Sequence, residues 1–103
     1  MKIIIYLIVI IKLLLSQVLV ADEIFIKGKE IFLNSGNCAS CHSLKDARSI
    51  ANIGPNLNDI RPEMGRVKIA VTNGAGTMPA YQGVLNVEEI DAVSYYVSES
   101  VNN

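Results

Sequence analysis

The chain has 103 residues, with 9 Lys+Arg against 10 Asp+Glu, a net charge of −1 and 50% hydrophobic residues. That length holds one domain at most, and a balance without any basic stripe argues against a nucleic-acid partner. With only two cysteines and one histidine, a scaffold of several disulfides is excluded.

Met1 and Lys2 form a short positive head, and residues 3–21, IIIYLIVIIKLLLSQVLVA, are apolar apart from Lys12, Ser16 and Gln17. The sequence turns polar at once with Asp22 and Glu23. This pattern predicts an export signal over residues 1–21, cleaved after Ala21, although Leu19 stands where a small residue is preferred. The alternative is an uncleaved anchor. A bilayer span takes about 18 or more apolar residues, and Lys12 in the middle counts against it. Residues 22–103 then form the domain. Without Lys2 and Lys12 it has 7 basic against 10 acidic side chains, a net charge of −3. A domain this small usually needs a disulfide, a metal or a bound group in its core.

Ile24, Gly28, Ile31 and Phe32 recur at helical spacing, with Lys27, Lys29 and Glu30 between them. The helix should stop near residues 34–37, NSGN, where Gly36 supplies an end signal. CASCH, residues 38–42, follows, and then a short helical turn to Arg48. Residues 52–62, NIGPNLNDIRP, are punctuated by Gly54, Pro55 and Pro62 and read as a loop. Pro62 is placed to open a helix through Asn73, with Met64, Val67, Ala70 and Val71 as its apolar stripe and Gly74 as its end. Residues 74–83 are again irregular. Asn86 caps the last helix, Glu89 completes a capping box, and Ile90, Val93, Tyr96 or Val97, and Val101 line one face. No strand signal remains, so the fold class is all-α, with long loops between short helices.

The two cysteines and the histidine fall within residues 37–42, NCASCH. An exported small domain with two cysteines should by default hold a disulfide. Here the bridge would close a two-residue gap and constrain little of the unfolded chain. A catalytic dithiol belongs beside a strand–helix unit, and none is visible. A structural zinc site needs four ligands, and Cys38, Cys41 and His42 supply three. Covalent haem remains. Cys38 and Cys41 fall on one side of a helical turn, so both sulfurs can reach the vinyl groups on one haem edge, and His42 can bind the iron. Cys-x-x-Cys-His is a specific pattern for this attachment.

With His42 as the only histidine, a second histidine ligand is excluded. Lysine or a terminal amine is uncommon, which leaves methionine. Met64 lies on an apolar stripe, where packing is the simpler account. Met78 sits in a glycine-rich loop before Pro79, and such a loop can swing a thioether over the far face of the ring. Met78 is therefore the expected second axial ligand, conditional on haem.

These residues resemble the class I cytochrome c family. CASCH, GPNL (residues 54–57) and MPAY (residues 78–81) stand in the family's order and precede a terminal helix. The resemblance implies mainly helices wrapped around one haem c, thioethers at Cys38 and Cys41, and axial ligation by His42 and Met78. It also implies that the Pro55 carbonyl accepts from the far ring nitrogen of His42, and that Leu57 touches the haem. Gly28 and Phe32 match the family's first helix, where the glycine admits close packing against an aromatic of the last helix, here Tyr96. The C-terminal part, residues 71–97, is especially similar to small carriers of the photosynthetic lumen, whereas GPNL is typical of other bacterial members.

With both axial positions filled by protein, substrate chemistry at iron is disfavoured and outer-sphere electron transfer is left. The expectation is an exported electron carrier, not an enzyme, periplasmic or, in a photosynthetic setting, lumenal. Its partners would be redox proteins: an oxidase, a reductase or a dehydrogenase. The competing reading is the electron-accepting cytochrome subunit of a periplasmic dehydrogenase or another redox complex. A membrane-tethered carrier follows if residues 1–21 are kept. Lys45 and Arg48 read as solvated side chains, and Arg61 and Arg66 are candidate partners for the haem carboxylates.

Overall fold

The computed structural model describes all 103 residues. Helix α1 spans Lys2–Leu33. A 3-10 turn at Cys38–Ser40 follows, and then strands β1, Ser43–Leu44, and β2, Ser49–Ile50. Helices α2, Leu57–Ile60, α3, Met64–Asn73, and α4, Val87–Ser100, complete the chain.

The core centres on the crossing of α1 and α4. Gly28 makes that crossing close. A β-carbon there would fall against the Ala92 carbonyl oxygen and 2.5 Å from the Tyr96 Cβ, so any larger side chain would force the helices apart. Tyr96 fills the crossing with 0% exposure. Its ring meets Phe25 edge-on at 4.9 Å and lies tilted against Phe32 at 5.7 Å, separations that favour aromatic pairs. Its hydroxyl donates to Asp46 Oδ2 at 2.6 Å, and Lys29 Nζ lies 3.3 Å from the same oxygen. One carboxylate thus ties the β1–β2 turn to both helices. Val93, Val97 and Val101 continue the buried face of α4.

Helix α3 packs beside α4 through Val67 and Val71, and Lys68 Nζ meets Asp91 Oδ1 at 2.6 Å. The capping box at α4 forms as expected: the Glu89 N–H donates to Asn86 Oδ1 at 2.8 Å and the Asn86 N–H to Glu89 Oε1 at 3.0 Å. Gly74 ends α3 at φ 77° and ψ 169°, a region open only to glycine.

Four elements differ from the sequence reading in extent or kind. First, the helix read from Ile24 begins far earlier: α1 runs through Ala21 without a break, because residues 16–26, SQVLVADEIFI, include neither glycine nor proline to end it. Second, the residues after CASCH form a two-strand antiparallel hairpin instead of a helical turn. Arg48 takes a left-handed φ of 53° at its turn, and the Ser43 hydroxyl donates across to the Ser49 carbonyl at 3.1 Å. Third, residues 52–62 contain the one-turn helix α2, capped by Asn56, whose Oδ1 accepts from the Asn58 N–H at 2.9 Å. Fourth, α3 opens after Glu63 and not at Pro62. On the apolar stripes, Phe25 packs on the core where Ile24 remains 37% exposed, and Met64 is 38% exposed at the first position of α3.

Candidate functional site

Asn37, in the left-handed region at φ 51°, turns the chain from α1 into the 3-10 turn. There the Cys41 N–H donates to the Cys38 carbonyl at 3.1 Å, and the His42 N–H to the same carbonyl at 2.9 Å. Three residues per turn place side chains i and i+3 above one another, so both thiols share a face. They are unpaired and half-buried. Burial pushes the Cys38 thiol up to about 11, against a smaller opposing pull from its backbone hydrogen bond, and the adjacent Cys41 adds to the rise. A reactive dithiol needs the reverse, a thiolate favoured by its surroundings, so the redox-dithiol reading weakens. The zinc reading weakens as well, because no three His, Cys, Asp or Glu side chains come together as a metal site requires.

His42 is oriented from two directions. Its Nδ1 lies 2.8 Å from the Pro55 carbonyl oxygen, which makes Nδ1 the protonated nitrogen and leaves Nε2 with its lone pair. Gly54 supplies the wall: a β-carbon there would sit 2.5 Å from the imidazole Cε1 and 2.9 Å from Nε2. The Gly54 N–H donates to the Cys41 carbonyl at 2.7 Å and locks the two segments together. In the sequence Gly54 reads as loop punctuation and as the first residue of GPNL, with no role of its own beside the histidine. Its place directly before the acceptor carbonyl of Pro55 was the available signal for its second role. Leu57, at 8% exposure, is buried in the core at the start of α2.

Met78 is carried on a tight turn. The Met78 N–H donates to the Ala75 carbonyl at 2.9 Å, and the Ala75 N–H to the Met78 carbonyl at 3.2 Å. Gly74 and Gly76 allow this reversal through φ values of 77° and 59°. At Gly74 a β-carbon would also stand 2.7 Å from the Met78 carbonyl oxygen. Met78 is half-buried and packs against the core. Three residues on, the Tyr81 hydroxyl donates to the Gly36 carbonyl at 2.5 Å. Burial raises its pKa, and the nearby Cys38 and Cys41 add to that rise.

Among the other candidates, Arg61 spends its guanidinium on Asn102 Oδ1 at 2.8 Å. Arg66, Lys45 and Arg48 are exposed and enter neither of the two salt bridges. The Lys45 N–H, however, donates to Asn58 Oδ1 at 2.8 Å and joins the hairpin to α2. The site therefore consists of two thiols on one face, an imidazole with one nitrogen anchored and one available, and a thioether offered on a separate turn. This donor set, with the imidazole fixed by Gly54 and Pro55, fits an iron porphyrin held by covalent sulfur bonds and axial ligands.

Comparison with known proteins agrees with that fit. A family model described as cytochrome c oxidase, cbb3-type, subunit III matches residues 25–97. Cytochrome c6 of Cladophora glomerata is 32% identical over 87 residues, covering 79% of this chain and 93% of that protein. Cytochrome c6 of Microcystis aeruginosa is 37% identical over 76 residues, covering 68% and 89%. The crystal structure of the c-type cytochrome SorU from Sinorhizobium meliloti superposes with a TM-score of 0.74 at 46% identity, covering 78% of this chain and 93% of that one. The chain belongs to the small class I cytochromes c, electron carriers built around a single covalently bound haem c.

Proposed function

We propose that this protein is an exported one-electron carrier in which Cys38 and Cys41 hold the haem by thioether bonds and His42 and Met78 are its axial ligands. The observation that carries the reading is the His42 cradle, with Nδ1 on the Pro55 carbonyl at 2.8 Å and Gly54 against the ring. A histidine so fixed cannot rotate away, and its remaining nitrogen is the more basic for the bond its partner nitrogen makes. The haem supplies a reversible one-electron couple, and histidine–methionine ligation raises its potential.

The residues around it have three tasks. Gly54, Pro55 and Leu57 keep the histidine side unchanged as the charge changes, which lowers the structural cost of gaining or losing an electron. The turn from Ala75 to Met78 presents the thioether and closes the opposite side to substrate. Cys38 and Cys41 fix the edge between them. Exchange with partner redox proteins takes place through a small, rapidly dissolved contact, so the protein has no substrate turnover of its own.

Export follows from residues 1–21, read as a signal cleaved after Ala21. A second reading keeps this segment as a membrane anchor. In its favour, α1 continues unbroken from Lys2 to Leu33 and its apolar stretch buries nothing against the domain. The N-terminus of the purified protein separates the two: Asp22 as first residue means cleavage, and Met1 means an anchor.

The ligand assignment is tested on holoprotein matured in a host with c-type haem attachment. The haem should resist extraction by acidified acetone. The ferric spectrum should carry the weak far-red band of sulfur-to-iron charge transfer. Met78→Ala should abolish that band, whereas Met64→Ala should leave it. A band that survives Met78→Ala would remove Met78 from the iron.

A further inference from the structure

The Met78 turn is exposed and short, yet it has to hold a thioether in place. Its backbone contacts reach only its own side of the molecule. The Tyr81 N–H donates to the Val71 carbonyl at 2.8 Å and the Gln82 N–H to the Thr72 carbonyl at 3.3 Å, both at the end of α3. The Val84 and Leu85 N–H groups, each 2.9 Å from the Tyr81 carbonyl, close the next turn. These bonds anchor residues 81–85 to α3 and to one another. They leave the segment free to hinge away from the cysteine side.

One side chain crosses that gap. The Tyr81 hydroxyl reaches the carbonyl of Gly36, 45 residues earlier in the chain, at 2.5 Å. Gly36 is buried, and its own N–H is fixed to the Ile31 carbonyl at 2.7 Å. A β-carbon at Gly36 would lie 2.9 Å from the Ile31 carbonyl oxygen and 3.2 Å from Cys38 Sγ. The acceptor is thus a fixed point of the turn that leads from α1 into the cysteine pair, next to the first thiol. The donor stands three residues after Met78.

We infer that Tyr81 is a positioning residue, a latch whose hydroxyl bond to Gly36 holds the Met78 segment closed over the far side of the haem. The inference rests on Met78 being an axial ligand, as proposed above. A competing ligand from solution can occupy the Met78 position only when the segment opens, so its apparent affinity is its intrinsic affinity scaled by the open fraction. Opening breaks the latch. Removing the hydroxyl while keeping the ring therefore enlarges the open fraction without adding or deleting any contact of His42.

The test is an imidazole titration of the ferric holoprotein, followed by loss of the far-red band. Tyr81→Phe should bind imidazole about fivefold more tightly than the unsubstituted protein, the equivalent of about 1 kcal/mol for one hydrogen bond. Tyr81→Leu, which also removes the ring, should bind more tightly still. Tyr96→Phe loses a hydrogen bond of similar length that involves no residue of the Met78 segment, and should leave imidazole binding unchanged. Unfolding of each variant by urea, read by circular dichroism, separates positioning from general packing. If Tyr81→Phe unfolds more easily but binds imidazole as the unsubstituted protein does, the bond persists in the open state and the latch is overturned. If the unsubstituted protein shows no far-red band, the ligand assignment falls and the latch falls with it.

Discussion

The α1–α4 crossing and the Met78 segment are held by different forces. At the crossing, Gly28, Phe32 and Tyr96 are buried and packed at close range, and the Tyr96 hydroxyl donates to the half-buried carboxylate of Asp46. From Gly74 to Leu85 the chain is mostly exposed and keeps its shape through turns, two glycines with positive φ on either side of Ala75, and backbone bonds to the end of α3. Apolar burial makes the first region indifferent to small local motions, since opening it exposes many side chains together. The second region can open with the loss of a few hydrogen bonds. Under the ligation proposed above, in which one haem ligand is held immobile and a second comes from a distant part of the chain, both kinds of region have a use.

Substitutions at the two kinds of glycine should sharpen that contrast. Gly28→Ala should have the largest effect. Its new methyl group meets the Ala92 carbonyl and the Tyr96 Cβ, and overpacking of this kind costs about 3 kcal/mol. Urea unfolding should report the loss, while the molecules that remain folded keep their far-red band. If the variant were as stable as the parent, the crossing would be looser than the packing at Gly28 requires.

Gly74→Ala should come next and act in the reverse sense. It places a side chain at φ 77° and ψ 169°, against the Met78 carbonyl, at a backbone cost of about 2 kcal/mol. On heating, the far-red band should disappear well before the helical signal does. Simultaneous loss of the two would show that the Met78 segment does not open by itself.

Tyr96→Phe should have the smallest effect, about 1 kcal/mol for a hydrogen bond that leaves Asp46 its Lys29 partner. The pH dependence carries a further signature. Burial first, and then the bond and charge of Asp46, hold the Tyr96 hydroxyl well above its ordinary 10.0. The folded state therefore favours the protonated phenol. Its contribution is fully present below about pH 10, the unfolded value, and is lost as pH climbs from there toward the folded value. The parent should thus lose stability above pH 10 more steeply than Tyr96→Phe, and parallel curves would rule this coupling out.

Legibility in the sequence followed the same division. The α4 cap was readable from Asn86 and Glu89, and its buried face from Ile90, Val93 and Val101, because capping and helical periodicity are local rules. The same locality made the shared face of Cys38 and Cys41 visible from their spacing. The hairpin at residues 43–50 was missed. Its strands are two residues long, too short for an alternating pattern, and Asp46 is held by Tyr96, 50 residues away. Helix α2 was missed because a single turn carries no periodicity, although Asn56 was a legible cap. The Tyr81–Gly36 bond had no local trace at all, since its partners are 45 residues apart.

By itself the sequence determined the chemistry of this protein: a Cys-x-x-Cys-His stretch, one histidine and few methionines leave few ways to hold an iron porphyrin. It also determined the longer helices, whose caps and apolar spacing act within a turn or two of chain. Only the tertiary structure decided how the histidine is fixed, what lies against Tyr96 and what restrains the Met78 segment. Each of those depends on a contact between atoms far apart in sequence, and such a contact exists only once apolar burial has brought the segments together.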